Sequence, residues 1–211
     1  MLEFIPDIFV SALVSFFVIV DPFGSAAVFA SITKRMDGST RKRIALKAVS
    51  IAVCLVITFS LIGEALLSYM GVSISAFRVA GGILLFVTAF RMIMGYHDPD
   101  QLESEDNSTY KNREDIAVFP MAIPILAGPG VMTTGLVFST SAQSHSDYIY
   151  IFGAIIAVQI LALISLLGAQ KITKFFGETG NSIIARVMGI LLAAMSIQLI
   201  ADGVADLLHL I

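Results

Sequence analysis

Val20-Asp21-Pro22-Phe23-Gly24-Ser25-Ala26-Ala27-Val28-Phe29 sets an acid, a proline and a glycine inside an otherwise apolar run. In hydrocarbon a charge and a helix break are both at their most costly, because no water is present to satisfy them. The stretch therefore has to be read with the rest of the chain, and first with what kind of chain it is.

Of 211 residues, 57% are hydrophobic and 14% charged, with mean hydropathy +0.89. Soluble domains are nearer a quarter charged. Long apolar runs separated by polar connectors identify a polytopic membrane protein and leave almost nothing for a soluble domain. A net charge of -3 gives no reason to expect nucleic acid as a partner. Cys54, the single cysteine, lies in an apolar run and has no internal disulfide partner, so buried packing is its expected role. Met1 to Asp7 carries Glu3 and Asp7 but no Lys or Arg, and so lacks the positive region of a signal peptide.

Six spans are predicted: 8–34 (interrupted), 44–67, 74–95, 116–139 (interrupted), 148–168 and 183–205. Each can cross a core of roughly 30 Å at about 1.5 Å per residue. Continuous rather than alternating apolar runs argue against barrel strands. Lys34, Arg35, Arg41, Lys42, Arg43 and Lys47 flank the first loop, Lys111, Arg113 and Arg91 the third, and Lys171 and Lys174 the fifth. The second and fourth loops and both termini have no Lys or Arg. The positive-inside rule puts both termini outside the cytoplasm. Tyr69, Tyr96, Tyr148 and Tyr150 fall near span ends, where amphipathic rings favour the interface.

The connector 97–115 is polar and acidic, with His97, Asp98, Asp100, Glu103, Glu105 and Asp106. It reads as a solvated linker rather than a metal site, since no second ligand cluster joins it. The sequon Asn107-Ser108-Thr109 would lie in the cytoplasm, away from glycosylation machinery. The linker separates a repeat over 1–96 from one over 116–211. Pro22 and Pro129 stand 107 positions apart, and Arg78-Val79-Ala80-Gly81 and Arg186-Val187-Met188-Gly189 stand 108 apart. Val28-Phe29 and Val137-Phe138 follow the two breaks. Three spans per half force the second half to be inverted. The expected fold is thus all-α: six transmembrane helices as two inverted three-helix repeats, with broken first and fourth helices. That architecture points to a transporter with a site near the midplane.

The second break is denser: Phe119-Pro120-Met121-Ala122-Ile123-Pro124-Ile125-Leu126-Ala127-Gly128-Pro129-Gly130-Val131-Met132-Thr133-Thr134. Proline removes a backbone bond and clashes with the preceding turn, and glycine permits the unwound conformations that follow. Free N–H groups are expected around Phe23 to Ala26 and around Gly130 to Thr133, each at a helix end suited to a carboxylate. Asp21 adds negative charge, and Ser25, Thr133 and Thr134 add hydroxyls. A small zwitterion fits that combination. Kinks of this kind are often only structural in membrane helices, but an intramembrane acid beside paired breaks marks a pathway. Asp21 has two candidate roles, holding an ammonium or carrying a proton.

Arg78 and Arg186 are read as snorkelling residues, with symmetry-related gating as the functional alternative, and Glu64 as an interfacial acid or a partner of Arg78. Gln159 and Gln198 suit interhelical hydrogen bonds, and Gly81-Gly82 and Gly189 suit close packing. No phosphate loop, H-E-x-x-H or G-x-S-x-G occurs. His97, His145 and His209 all lie at loops or ends, so an intramembrane hydrolase is disfavoured and the chain is not expected to be an enzyme.

Taken together, Asp21-Pro22-Phe23-Gly24, the Pro120/Pro124 run with Ala127-Gly128-Pro129-Gly130, and the openings Arg78-Val79-Ala80-Gly81-Gly82 and Arg186-Val187-Met188-Gly189 resemble the MarC family of integral membrane proteins, over nearly the whole chain. That family includes small neutral amino acid transporters. It commonly has Asn or Asp where Asp21 stands, and often a second proline where this chain has Ala27. The resemblance implies six spans, alternating access, and a substrate site lined by the two Pro-Gly motifs: Asp21, Pro22, Phe23, Gly24 and Ser25 with Gly128, Pro129, Gly130, Thr133 and Thr134. The expected function is secondary transport of glycine- or alanine-like amino acids in a bacterial-type inner membrane. No cofactor or metal is expected, though coupling to a proton or sodium gradient is open, as is homo-oligomer formation. The alternatives are an exporter or channel for another small solute, or a non-transporting scaffold subunit. A multidrug role is not expected, since the breaks lack an aromatic and Met-lined volume.

Overall fold

Proline and glycine decide where the helices stop. In the computed structural model, which describes residues 7–95 and 116–209, every element is helical and no strand occurs among the described residues. In chain order they are α1 (Asp7–Val20), α2 (Pro22–Ile32), α3 (Gly38–Tyr69), α4 (Ile74–Met94), α5 (Ala117–Leu126), α6 (Pro129–Thr140), α7 (His145–Leu167) and α8 (Ala169–His209). The predicted linker, with His97, its acids and the sequon, lies outside the described residues, as does Tyr96.

Five helices are long and apolar enough to cross a membrane, or six if the bent pair α5–α6 forms one span. α3 starts well before its predicted apolar boundary. Its first turns carry Arg41, Lys42 and Arg43, which hydropathy excludes but helix geometry does not. Asp37 caps this end, accepting from the Thr40 N–H at 3.0 Å and the Thr40 hydroxyl at 2.7 Å. Those bonds and one from the Ser39 hydroxyl hold its carboxyl well below the usual carboxylate range. The cap is therefore fully charged above the ordinary carboxylate pKa and is lost only as pH falls through the depressed value.

The two interruptions differ in severity. Between α1 and α2 a single residue departs: Asp21 adopts φ 42°, ψ 74°, a left-handed conformation that Asp tolerates better than most residues. Its N–H still donates to the Phe17 carbonyl at 3.1 Å and its own carbonyl accepts from Ser25 N–H at 2.9 Å, so the ladder is nearly continuous. The second interruption is larger. Phe119 and Ile123 are extended, as residues preceding proline tend to be. Both Phe119-Pro120 and Ile123-Pro124 are cis. α5 winds in wide π-type turns, the Ala127 N–H reaching the Ala122 carbonyl at 2.8 Å. The axes of α5 and α6 diverge by 52°. Gln159 on α7, 1% exposed, donates through Nε2 to the Leu126 carbonyl at 3.0 Å and so holds the end of α5.

Packing follows a reciprocal scheme. α4 lies along α8 and α3 on α7; α1 packs on α7 and α5 on α3; α2 touches α7 and α8, and α6 touches α3 and α4. The α4–α8 seam is antiparallel and close because glycine lines it. A Cβ on Gly82 would fall 2.9 Å from the Ser196 carbonyl oxygen, one on Gly189 would fall 2.9 Å from Met92 Cβ, and one on Gly203 would fall 2.8 Å from the Ser75 carbonyl oxygen. Gly81 likewise admits Thr133 of α6. The expected packing roles of Gly81, Gly82 and Gly189 are those observed. Gln159 makes the expected interhelical bond, whereas Gln198 instead bonds Asp202 on its own helix at 2.7 Å. Cys54 is exposed, not buried as expected; its helix, α3, turns Val56 and Ala52 inward and leaves Cys54 on the outer apolar face. α8 breaks at Gly177, φ 64°, which separates a short leading arm from the membrane-length run Thr179–Leu208.

Gly82→Val should lower the thermal midpoint of the purified protein, since overpacking costs about 1–3 kcal/mol. Gly38→Ala, which meets only the far end of Arg41 at 4.0 Å, should leave it unchanged. Gln159→Leu should also lower it, by about 1–3 kcal/mol of stability, because the Leu126 carbonyl loses its partner. An unaltered midpoint for either destabilising variant removes the corresponding contact from the account of the fold.

Candidate functional site at the helix breaks

The two breaks meet. Between them lies a cavity of about 190 Å³, bounded by Val20, Asp21, Gly24 and Ser25 on one side and Pro124, Gly128 and Pro129 on the other. Leu85, Thr88 and Met92 of α4 and Leu192 of α8 form the facing wall. Ile19, Val28, Ile125 and Val131 complete the lining beside them.

Close approach of backbone to backbone explains the glycines. A Cβ on Gly24 would collide with the Asp21 carboxylate, and one on Gly128 with the Pro124 carbonyl oxygen. Asp21 is only 7% exposed. Its Oδ1 accepts from the Gly24 N–H at 3.1 Å, which makes it the N-cap of α2. The Ser25 hydroxyl donates to the Val20 carbonyl at 2.8 Å, so the last carbonyl of α1 is satisfied as well.

These bonds correct one expectation. The α2 amides at Gly24 and Ser25 are not free for a ligand: the first goes to the Asp21 side chain and the second to the Asp21 carbonyl. α6 differs. Gly128 occupies its N-cap position with no side-chain cap, Pro129 has no N–H, and Gly130 and Val131 have no intrahelical acceptor. The cavity therefore has a carboxylate at one break and the positive, uncapped end of a helix at the other. An anionic group is favoured at α6 and a cationic one at Asp21.

Of the residues singled out from sequence, Asp21, Gly24, Ser25, Gly128 and Pro129 line the cavity. The others stand behind it. Pro22 is buried at the start of α2, and Phe23 packs edge-on against Phe17 with ring centroids 6.3 Å apart. Gly130 makes room for Leu85. The Thr133 hydroxyl returns to the Pro129 carbonyl at 2.8 Å. Thr134 is buried with its hydroxyl unpartnered among the described residues. Sequence reasoning missed the α4 wall. Its signal was only the i, i+3, i+7 spacing of Leu85, Thr88 and Met92, which any packed helix face shares.

Arg78 and Arg186 lie at opposite ends of the α4–α8 seam, and neither lines the cavity. Arg78 pairs with Asp206 at 2.8 Å rather than with Glu64; the side chains are 17% and 49% exposed, so the pair adds little stability in an aqueous setting. Arg186 lies beside Gly95 at the C-terminal end of α4, where helix carbonyls favour a cation. Among the described residues, no three His, Cys, Asp or Glu side chains gather as a metal site would require.

Known proteins give the fold its kinship. The family described as "MarC family integral membrane protein" matches residues 7–208. UPF0056 membrane protein MJ1677 of Methanocaldococcus jannaschii is 33% identical, the match covering 93% of this chain and 95% of the relative. A UPF0056 membrane protein of Aquifex aeolicus is 35% identical over 95% of this chain and 94% of its own. UPF0056 membrane protein YhcE of Escherichia coli is 35% identical over 90% and 89%. No solved structure matches the chain. With its broken, proline-marked helices and a match spanning nearly its whole length, the chain belongs to the MarC family of integral membrane proteins.

Proposed function

We propose that this protein is a secondary transporter of small neutral amino acids, glycine and alanine above all, working by alternating access around the cavity between the breaks. The observation that carries this reading is the chemical asymmetry of that cavity. A buried carboxylate faces it from α2's cap and an uncapped helix N-terminus faces it from α6. A zwitterion is complementary to both, its ammonium at Asp21 and its carboxylate at the start of α6, where Val131 lines the cavity. The cavity's 190 Å³ falls below the roughly 300–1,000 Å³ of drug-sized pockets, which favours a small substrate and disfavours a multidrug role.

The reading takes the chain as six spans in two inverted halves. Two features support that: the reciprocity of helix packing between the halves, and positive-φ glycines at equivalent places, Gly71 at 69° and Gly177 at 64°. The Lys and Arg distribution supports a cytoplasmic face carrying the first, third and fifth loops, in a bacterial-type inner membrane.

Purified protein in liposomes should accumulate labelled glycine and alanine when a proton or sodium gradient is imposed. Methylamine, which lacks the carboxylate, should not compete. Absence of both transport and binding under every gradient overturns the proposal. Asp21→Asn keeps an acceptor for the Gly24 N–H but removes the charge. Its uptake should fall about tenfold or more, equivalent to roughly 1.4 kcal/mol of lost interaction. Unchanged uptake with unchanged ion dependence would take Asp21 out of both substrate binding and coupling.

A further inference from the structure

The cavity is symmetric at its centre and one-sided beyond it. The 107-residue offset that relates Pro22 to Pro129 also holds within the α4–α8 seam, where Gly82 meets Ser196 and Ile200 and Gly189 meets their counterparts Ala89 and Ile93. By it three equivalent pairs share the lining: Asp21 with Gly128, Gly24 with Val131, and Leu85 with Leu192. Past this centre, equivalence fails. Val28 lines the cavity and its counterpart Gly135 does not; Thr88 and Met92 line it and their counterparts Met195 and Leu199 do not.

Apart from Ile19, Val20, Ser25 and Pro129, which lie within four residues of a break, the one-sided positions lie toward one face of the bundle. Val28 is near the end of α2, Thr88 and Met92 are in the last turns of α4, and Pro124 and Ile125 precede the break in α5. That is the face where α2 and α4 end and α5 begins, and it carries Lys34, Arg35 and Arg91. Toward the other face the equivalent route is filled: Met195 and Leu199 are partly buried and pack against the core. The seam ends there in the Arg78–Asp206 ion pair.

Resting on the transport reading and its inverted halves, we infer that the α8 stripe Leu192, Met195 and Leu199 lines the substrate path in the oppositely open state, replacing Leu85, Thr88 and Met92. In an inverted repeat the two access states exchange the conformations of the halves. Residues that now open one face then have counterparts that open the other. Met195 and Leu199 are substrate-path residues that do not line the cavity between the breaks in the state seen here. The centre of the site, which both states share, stays in place.

Single-cysteine variants of the full chain in a Cys54→Ser background, reconstituted in oriented vesicles, test this with a membrane-impermeant maleimide. Thr88→Cys should label from the Lys- and Arg-rich face. Met195→Cys and Leu199→Cys should label only from the opposite face. A minor state populated at roughly 0.1–10% makes that labelling about 10–1,000-fold slower than at Thr88→Cys. It should still exceed labelling of Ile197→Cys, which lies on the exposed apolar side of α8. Two stripe positions are used so that misfolding of one variant leaves the other to decide. If neither labels from that face in protein that moves glycine, or if both label from the same face as Thr88→Cys, the α8 assignment is overturned and the transport reading survives. If opposite-face labelling occurs but no amino acid moves, the amino acid reading falls and the two-state path stands.

Discussion

The structure depends on one constraint: a backbone group in hydrocarbon must find a partner inside the protein, because several kcal/mol are lost for each that does not. Breaking a membrane helix leaves such groups at both sides of the break, and the two breaks here solve the problem differently. At the first, the chain supplies its own partners. Asp21 caps α2 through Gly24, its carbonyl takes the Ser25 N–H, and the Ser25 hydroxyl satisfies Val20. At the second, Gln159 reaches across from α7 to the Leu126 carbonyl, and the start of α6 is left without a cap. The break that is fully satisfied locally carries the fixed negative charge. The one satisfied from a distance keeps its positive helix end exposed to the cavity.

Close packing is what brings the breaks together. Thr133 sits where a Cβ on Gly81 would be, and Leu85 where one on Gly130 would be, so α4 presses directly against the start of α6. The same helix meets α8 along Gly82, Gly189 and Gly203. Lipid provides no hydrophobic force between helices, so contact distance and interhelical hydrogen bonds have to hold them, and small residues shorten that distance. The outward faces, with Leu61, Ile83, Phe90, Ile164, Ile190 and Ile197 exposed, present apolar surface to lipid instead of to a partner helix.

Much of this was legible in the sequence because the bilayer narrows the choices. Apolar run length located the spans, and the proline positions located both breaks. Asp21, Gly24, Ser25, Gly128 and Pro129, which line one cavity, could be grouped from sequence because an acid and two prolines stand at matching places in the two halves. Three things were not legible. The end of α3 extends beyond the hydrophobic run, since helices do not stop at the membrane surface. The partner of Arg78 is Asp206, 128 residues away, and only folding shows that the end of α8 is a nearer neighbour than Glu64. The α4 wall carries no motif, because a cavity lining of Leu85 and Met92 uses the same side chains as ordinary packing.

If the halves are taken as inverted repeats, as proposed above, the difference between the two breaks also bears on how a repeated scaffold acquires direction. Two identical halves related by inversion would present identical chemistry to a ligand from both sides, and a zwitterion would bind in either of two orientations. Here equivalent positions hold Asp21 and Gly128, a carboxylate facing a residue with no side chain. On the proposed reading, this one difference between paired positions decides which break meets the substrate's ammonium. It also frees the other from its cap, because a side chain at Gly128 would both strike the Pro124 carbonyl and compete for the α6 amides. In the proposed transporter the glycine and the aspartate are therefore a single device: each can perform its role only because its counterpart is the other residue.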